Sequence, residues 1–280
     1  MKIDETTKIM LRMHREANNR GLQIYNPYFQ QKNINGLYLL LQNPNPGIHV
    51  EAIRNFKLAG AITSTFEHDP KLIELMDKLD PIPQEVGKVG IIANEGGKLK
   101  GYLQSAYGLK KAIKQHSSLQ DKKVVIMGAG DVIHGFLHLL TLEDVQPASI
   151  EIYNRTLGHA EKLGNSYSLV TRVKPLLELK NASGDIFIHA TSVGSPWNKE
   201  EDYQFTDSFL KGFSLIADTT FVPLQPPLII SANRLGIENS PGHEMFLYQG
   251  AMCLEKIMGI DVDLELLNKL IKIDFETNWS

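Results

Sequence analysis

The stretch that decides the fold is Lys122 to Gly135, KKVVIMGAGDVIHG, in which an apolar run leads through glycines into a helical pattern. Val124 to Met127 has the β-branched and apolar character of a buried strand, and the turn Gly128–Gly130 follows it directly. Bare backbone at such a turn lets a pyrophosphate approach, and the next helix offers unpaired amide donors. The stretch therefore predicts a strand, a turn and a helix that bind a dinucleotide.

Two residues depart from the usual glycine fingerprint. Ile133 stands at the position of the third glycine, although Gly135 still permits close packing of the helix on the sheet. Asp131 places a carboxylate near the expected pyrophosphate, which is unfavourable unless the side chain points away or caps the helix. The prediction of a dinucleotide site therefore needs further evidence from other parts of the sequence.

The end of the next predicted strand favours NADP over NAD. A site for NAD would carry an acidic residue there to hold the ribose hydroxyls, whereas this chain has Tyr153-Asn154-Arg155-Thr156. A guanidinium makes two charge-assisted hydrogen bonds to a 2′-phosphate and stacks on adenine, and His159 is a further candidate donor. The alternative is a solvated Arg155 at a helix start.

On both sides of these segments the apolar periodicity changes from element to element, as in an α/β protein. The first half predicts strands over 37–42 and 60–63, helices over 50–58 and 71–79, and a hairpin of 89–93 and 98–102. After a helix over 106–115, the chain predicts strands over 124–127, 150–153, 185–190 and 215–218 and a helix over 158–166. This alternation is typical of a doubly wound parallel sheet. The segments 245–258 and 264–273 are helical by spacing and need another surface to cover their apolar faces.

Composition narrows the class of protein. With 280 residues, 42% hydrophobic and 22% charged, the chain suits two modest globular domains. A net charge of -3 without a long basic tract argues against nucleic acid or a membrane as partner, so we expect a small-molecule substrate. The oligomeric state is left open, a homodimer included.

Two further features bear on location and metal binding. The amino terminus lacks the apolar core of a signal peptide, and no run approaches the roughly 20 apolar residues of a membrane span, which predicts a cytoplasmic protein. Cys253 is the only cysteine, which excludes an internal disulfide and a cysteine-rich metal site. We expect it to be a small buried side chain and expect no metal.

Four ordered motifs in the second half resemble the shikimate dehydrogenase family. Residues 154–156 (NRT) look like the family's adenosine-phosphate motif, and 190–194 (ATSVG) like its N-A-T-S-x-G strand end beside the cofactor. Residues 218–223 (DTTFVP) resemble D-x-x-Y-x-P, and Gly242 with 245–249 (MFLYQ) resembles G-x-x-M-L-x-x-Q. Four motifs in order are far more specific than any one of them.

The resemblance implies a fold and a cofactor site. Residues 1–104 with 243–280 would form an α/β substrate domain completed by the C-terminal helices, and 105–242 an NADP-binding Rossmann domain. The cofactor-binding residues that we predict on this basis are Gly128, Ala129, Gly130, Asp131, Asn154, Arg155, Thr156, Thr191, Ser192, Val193 and Met245.

The first half resembles the same family in scaffold but not in chemistry. The scaffold matches run over 60–68 (GAITSTFEH), 87–101 (GKVGIIANEGGKLKG) and 101–108 (GYLQSAYG). His68 stands where the family has the catalytic lysine of V-T-x-P-x-K, and Ser105 where it has the aspartate of N-T-D. The other departures are Gly90 for the asparagine of A-V-N, Asn19 and Gly21 for the serines of H-S-x-S-P, and Phe221 for the tyrosine of D-x-x-Y-x-P.

These positions give the catalytic and substrate candidates. His68 can replace the lysine as proton donor, because an imidazole titrates near neutrality, although a solvated helix-start histidine is the alternative. Ser105 cannot replace the charge of a carboxylate, but its hydroxyl can bond a carbonyl or orient water. The expected substrate-binding residues are Asn26, Ser64, Phe221 and Gln249, of which Gln249 keeps the family's glutamine and Ser64 is a conservative replacement for threonine.

The lost donors predict a changed substrate, since a site without them discriminates poorly for shikimate. Tyr25, Tyr107 and Phe221 suggest a flatter or less hydroxylated ligand, unless these rings belong to the core. The main hypothesis is an NADP-dependent oxidoreductase acting on a carbonyl, alcohol or imine of a small metabolite.

Two other functions stay open at this point. A catalytically inactive sensor of the cofactor or of a metabolite is favoured by the loss of the lysine and aspartate pair. The resemblance could also reflect only a shared scaffold, as in tetrahydrofolate dehydrogenases or glutamyl-tRNA reductases. The first class normally uses a lysine in the cleft, and the second a nucleophilic cysteine in its N-terminal domain, whereas Cys253 lies late in this chain.

Overall fold

The structure is a computed structural model that describes residues 3–16, 21–196, 198 and 205–278; Asn19 lies outside these ranges. Its strands are β1 Lys8–His14, β2 Gly36–Gln42, β3 Gly60–Ile62, β4 Lys78–Leu79, β5 Ile91–Glu95, β6 Lys98–Tyr102, β7 Lys123–Met127, β8 Ser149–Asn154, β9 Val170–Pro175, β10 Ile186–His189, β11 Leu215–Asp218 and β12 Glu238–Ser240. Its α-helices are α1 Leu22–Gln31, α2 Pro46–Asn55, α3 Lys71–Glu74, α4 Pro81–Val86, α5 Gln104–His116, α6 Asp131–Leu142, α7 Leu157–Asn165, α8 Asp207–Leu210, α9 Pro227–Leu235, α10 Gly242–Cys253 and α11 Leu264–Asn278. Short 3-10 helices cover Ser64–Phe66 and Leu176–Asn181, and a π-helix at Leu254–Met258 continues α10.

The chain divides into two compact units. The first is Met1–Gln104 with Gln249–Trp279, and the second is Ser105–Tyr248. The division near the carboxyl end falls inside α10, between Tyr248 and Gln249, whereas the sequence places the boundary between 242 and 243, after the first residue of this helix. The predicted α/β class is confirmed in both units.

The first unit contains a mixed six-stranded sheet in the order β2-β1-β3-β5-β6-β4. Strand β1 is parallel to β2 and β3, and the predicted hairpin joins β5 and β6 through Gly96 and Gly97, both at positive φ. Sequence patterning does not single out β1, because Lys8 and Arg12 interrupt its apolar run. The strand nevertheless lies inside the sheet, with Met10, Leu11 and Met13 fully buried.

The helix predicted over 71–79 is wrong beyond its first turn. The α-helix ends at Glu74, and Lys78–Leu79 forms an edge strand parallel to β6. Asp77 redirects the chain, since its backbone N–H donates to the Leu99 carbonyl at 2.9 Å and its carboxylate accepts from the Leu99 N–H at 2.6 Å. These bonds to the sheet edge replace the bonds that a longer helix would have made.

The C-terminal helices complete the core of the first unit. Helix α1 packs on α11, in which Ile271 and Phe275 are buried. The backbone N–H of Asp263 donates to the Tyr28 hydroxyl at 2.8 Å, and Lys8 Nζ donates to the Met258 carbonyl at 2.9 Å. The apolar face of 264–273, which the sequence leaves unpartnered, is therefore covered within this unit.

The second unit contains a parallel six-stranded sheet in the order β12-β11-β10-β7-β8-β9. The chain moves from β7 outward through β8 to β9 and then returns to β10 on the other side of β7. This reversal creates a topological switch point at the carboxyl ends of β7 and β10, where ligands bind in open α/β sheets. The sequence does not predict β9, α9 or β12, of which β9 and β12 lie at the sheet edges. None of the described helices has the length and apolarity that a membrane crossing needs.

Candidate functional site

A cavity of about 620 Å³ lies at the switch point of the second sheet. It collects residues from the ends of three neighbouring strands, β7, β8 and β10, because the carboxyl ends of parallel strands meet at one edge. The lining residues are Met127, Gly128, Ala129, Gly130, Tyr153, Asn154, Arg155, Thr156, His159, Leu176, Ala190, Thr191, Ser192 and Val193. Nine of the eleven residues predicted to bind the cofactor are among them.

The two glycines of the turn differ in what surrounds them. Gly128 has φ +113, and a Cβ there would stand 2.4 Å from the Ala190 carbonyl oxygen, so only glycine fits. A Cβ at Gly130 would meet no described protein atom within 4 Å, so the backbone there is open to a ligand. Gly130 precedes α6, whose first amides carry the positive end of the helix dipole.

The Asn154-Arg155-Thr156 segment follows β8 at the rim of the cavity. The Asn154 side-chain amide donates to the Thr156 carbonyl at 2.9 Å, which holds the turn that presents Arg155. Arg155 is exposed, and Thr156 precedes α7 without capping it through its side chain. A cationic side chain at an open rim next to a helix start suits an anionic group of a ligand.

Asp131 and Met245 are the two predicted cofactor residues that do not line the cavity. Asp131 is the first residue of α6, where a carboxylate interacts favourably with the helix dipole. Met245 is buried in α10, 6% exposed.

A buried polar network beneath the cavity was missed by sequence reasoning. His189 Nδ1 lies 2.9 Å from Asp218 Oδ1, and His189 Nε2 lies 2.7 Å from the Thr191 hydroxyl that lines the cavity. Asp218 Oδ1 also accepts from the Thr220 N–H at 2.8 Å, while Thr191 Oγ1 accepts from the Val193 N–H at 3.2 Å. With the His189 proton on Nδ1 toward the carboxylate, Nε2 accepts from Thr191, so the network fixes the direction of that hydroxyl. Histidine in place of the first asparagine of N-A-T-S-x-G was the signal that could have found it.

In the first unit, His68 follows the 3-10 helix and is exposed. Its Nδ1 atom lies 2.6 Å from Nζ of Lys88, which comes just after α4. An ammonium group can only donate, so the bond requires a neutral ring with Nδ1 as acceptor and the ring proton on Nε2. Lys88 is a second residue that sequence reasoning did not select.

The remaining predicted residues occupy different environments. In the first unit, Ser64 has φ +51 and accepts from Arg12 Nη2 at 2.9 Å, and Gln249 is half-buried in α10. The Asn26 amide is committed to the backbone of Tyr38, donating to its carbonyl at 3.0 Å and accepting from its N–H at 2.8 Å.

In the second unit, Ser105 is buried at the start of α5, and the Phe221 ring contacts Phe246 with centroids 5.2 Å apart. Of the other aromatic candidates, Tyr25 is buried in the first unit, with its ring centroid 4.8 Å from that of Tyr38. Cys253 is buried as well, and burial raises the pKa of its thiol to about 12. Within the described ranges, no group of three or more His, Cys, Asp or Glu side chains is arranged to hold a metal ion.

Comparison with known proteins places this site in context. Residues 110–218 match the sequence model of the family described as Shikimate / quinate 5-dehydrogenase. The chain is 29% identical over 258 residues to the shikimate dehydrogenase (NADP(+)) of Geobacillus sp. (strain WCH70), covering 89% of this chain and 91% of that one. It is 27% identical over 230 residues to the shikimate dehydrogenase (NADP(+)) of Bacillus cereus (strain AH187), covering 79% and 82%. A solved structure of a shikimate 5-dehydrogenase-like protein shares the fold, with a TM-score of 0.84 at 21% identity over 96% of this chain and 98% of that one.

Proposed function

We propose that the chain is a member of the shikimate dehydrogenase family, to which its sequence and fold are similar, and that it is an NADP(H)-dependent oxidoreductase of the shikimate and quinate dehydrogenase type with an altered substrate. It would transfer a hydride to or from a carbonyl or alcohol of a small metabolite. The observation that supports this most is the cavity at the switch point, where the glycine turn and Arg155 lie together.

The residues of the cavity fit NADP(H). The open backbone at Gly130 leaves room for a pyrophosphate beside the start of α6, and Arg155 suits the 2′-phosphate. Thr191, whose hydroxyl points its proton at His189, offers an oxygen lone pair to a ligand donor. Bound NADP(H) supplies the hydride; the protein supplies binding, orientation and proton transfer.

His68 and Lys88 would handle the proton. With Lys88 donating to Nδ1, the His68 ring holds its proton on Nε2, which would be the proton donor to a substrate oxygen. When the carbonyl carbon gains the hydride, Nε2 would give this proton to the carbonyl oxygen and Nδ1 would take one from the Lys88 ammonium; the reverse transfers would accompany oxidation. His68 and Lys88 would thus do the work of the family's lysine and aspartate, which this chain replaces by His68 and Ser105.

A fluorescence titration with NADPH and NADH tests cofactor choice. We expect Arg155→Ala to weaken NADPH binding about 10- to 100-fold, because it removes the charge-assisted bonds to the 2′-phosphate, and to change NADH binding little. Arg172→Ala is the matched control, since Arg172 lies exposed on β9 and pairs with Glu151 at 3.5 Å. Equal loss for both cofactors would contradict the role given to Arg155.

Turnover decides between the enzyme and the alternative, a protein that binds NADP(H) or a metabolite as a sensor. The exposed position of His68 gives that alternative its support. Absorbance of NADPH is followed with shikimate, quinate, and a panel of ketones and imines. An enzyme should lose turnover in His68→Ala while keeping its NADPH affinity, whereas binding of NADPH without turnover of any compound would favour the sensor.

A further inference from the structure

The strongest feature outside the cofactor cavity is a set of polar side chains in the first unit. They fill the space beside two glycines that stand where the resemblance expects polar side chains. Gly21 stands where the resemblance expects a serine. A Cβ at Gly21 would lie 2.8 Å from the Tyr38 hydroxyl oxygen, and its φ of +84 is strained for any other residue. The Tyr38 hydroxyl therefore occupies the space that a side chain at position 21 would take.

The same exchange occurs at Gly90, where the resemblance expects an asparagine. A Cβ at Gly90 would lie 2.1 Å from Oε1 of Gln104, so the Gln104 amide fills that space. Gln104 is only 9% exposed, and its Oε1 atom is buried without a hydrogen-bond donor among the described residues. A buried orphan acceptor is rare in a folded protein and indicates a partner that is not a protein atom.

Arg12 connects these positions. It lies on β1, in register with Ile62 of β3, and its Nη2 atom donates to Ser64 Oγ at 2.9 Å. Its positive charge also acts on the Tyr38 hydroxyl, whose pKa it lowers against the larger effect of burial. Beyond Ser64, the neighbouring Thr63 N–H donates to the Gly90 carbonyl at 3.1 Å, which brings Gln104 to the same end of β3.

Arg12 forms no ion pair with a described carboxylate, and the buried Asp274, which like Arg12 acts on Tyr38, lies beyond ion-pair distance of the guanidinium. Burial raises the pKa of Tyr38 to about 12, and it raises the pKa values of Tyr25 and Cys253 as well, so these groups stay neutral beside the guanidinium. Of the residues that the structure describes, no carboxylate lies within 4.0 Å of Arg12. Arg12 is half-buried, and its buried Nε–H has no acceptor among the described residues.

A half-buried cation with neutral partners and unused donors is costly unless an anion binds to it. We propose that Arg12, supported by Ser64 and Tyr38, binds the carboxylate of a small organic acid, and that this acid is the substrate of the oxidoreductase proposed above. Only the identification of this acid as the substrate rests on the proposed function. The binding site itself is formed by residues of the first unit alone. Arg12 thereby supplies the anion recognition that the motif around Gly21 has lost.

Charge and shape favour a carboxylate over a phosphate ester. The planar guanidinium matches a carboxylate through two parallel N–H donors, and one positive charge balances one negative charge. A phosphate dianion is normally met by more than one cation. Tyr38 and Ser64, as neutral hydroxyls, add hydrogen bonds without adding charge.

Calorimetric titration of the full chain tests the proposal with two hydroxylated acids, shikimate and quinate, and with their uncharged methyl esters. We expect each acid to bind at least about 10-fold more tightly than its ester, as charge-assisted hydrogen bonds require. Arg12→Gln should weaken acid binding by about 10- to 100-fold, leave ester binding unchanged and so abolish the preference. Arg12→Lys, which keeps the charge but not the planar fork, should retain part of the preference.

Arg234→Gln is the matched control, because Arg234 is exposed in the second unit and pairs with Asp207. Equal binding of acid and ester by the unmodified protein, or no binding of either acid, would overturn the proposal without any variant, so a misfolded Arg12→Gln cannot hide the answer. Acid preference that depends on Arg12 without any NADPH turnover would support this site and count against the proposed enzyme. Turnover of uncharged carbonyl compounds with no acid preference would support the proposed enzyme and count against the Arg12 site.

Discussion

At the scale of single residues, Gly128 and Gly130 are limited by different neighbours. Gly128→Ala places a methyl group against the Ala190 carbonyl at φ +113, so we expect a loss of about 1–3 kcal/mol in the free energy of unfolding. Gly130→Ala meets no described protein atom and should leave stability nearly unchanged. It should still weaken NADPH binding at least about 10-fold, because the methyl group enters the space given to the pyrophosphate. Urea unfolding and NADPH fluorescence separate the two effects, and normal NADPH affinity in Gly130→Ala would place the pyrophosphate elsewhere.

His189 links the buried Asp218 carboxylate to Thr191, which lines the cavity. Replacing it by leucine leaves the buried Asp218 carboxylate without its side-chain donor, and we expect a loss of about 2–3 kcal/mol in unfolding free energy. His189→Asn keeps a donor of smaller size and should cost about 1 kcal/mol. Equal stability of the leucine and asparagine variants in urea titrations would show that the bond to Asp218 contributes little.

Lys88 provides a test of the proton path. Lys88→Met removes the donor to His68 Nδ1 and frees the ring to adopt the wrong tautomer, so we expect kcat to fall about 10-fold or more at unchanged NADPH affinity. Lys88→Arg keeps a cationic donor and should restore part of the rate. Lys98→Met is the control, because Lys98 is an exposed residue at the start of β6. Unchanged kcat in Lys88→Met would exclude Lys88 from the path.

Residues within one short motif could be predicted from the sequence, and residues that meet across strands could not. The turn Gly128–Gly130 and the segment 154–156 line the cavity because each follows a buried strand in the local pattern. His189 and Asp218 are 29 residues apart, and only the register of β10 on β11 pairs them. The role proposed for Arg12 was hidden for the same reason, since its partner Ser64 lies 52 residues away, at the start of the 3-10 helix that follows β3.

At the scale of elements, His116 joins three of them by a pH-dependent contact. It ends α5, and its two ring nitrogens lie 2.6 Å from Glu238 in β12 and 2.8 Å from Glu244 in α10. Burial opposes protonation, but the two carboxylates outweigh it and raise the pKa of His116 above its ordinary value of 6.5.

A pKa that is raised on folding stabilises the protonated fold. The contribution of His116 should therefore be complete below about pH 6.5 and should disappear as the pH rises through the higher pKa of the folded state. Unfolding free energies measured by urea at several pH values test this. The unmodified protein should lose stability as the pH rises through this range, and His116→Gln should not show this loss. His159→Gln controls for titration of an exposed histidine, and a His116→Gln curve parallel to the unmodified protein would contradict the assignment.

Elements with a clean apolar pattern were predicted, and elements set by contacts to a sheet edge were not. Strand β7 and the parallel strands β8, β10 and β11 of the same sheet carry strong apolar runs and form as expected. The segment 71–79 has helical spacing, yet the bonds of Asp77 to Leu99 turn its second half into a strand. Local spacing describes which face is apolar, and tertiary bonds decide which backbone presents that face.

At the scale of the whole molecule, the two units differ in how they are encoded. The second unit, Ser105–Tyr248, is one continuous segment with its own sheet and a buried core that includes Phe187 and Ile216. The first unit needs both ends of the chain, since Tyr28 bonds Asp263. The resemblance to the shikimate dehydrogenase family implies this organisation, although α10 crosses the division between the units.

This difference predicts opposite outcomes for two fragments. Residues 105–248 expressed alone should unfold cooperatively and bind NADPH within about 3-fold of the full chain, because every residue that lines the cavity lies within them. Residues 1–104 alone should not fold, because removal of α11 exposes the apolar surface that Ile271 and Phe275 cover. Adding a peptide of residues 249–280 to fragment 1–104 should restore helical content and protected amides, as seen by circular dichroism and hydrogen exchange. A stable fold of 1–104 without that peptide would mean that the C-terminal helices are an addition to this core and not a part of it.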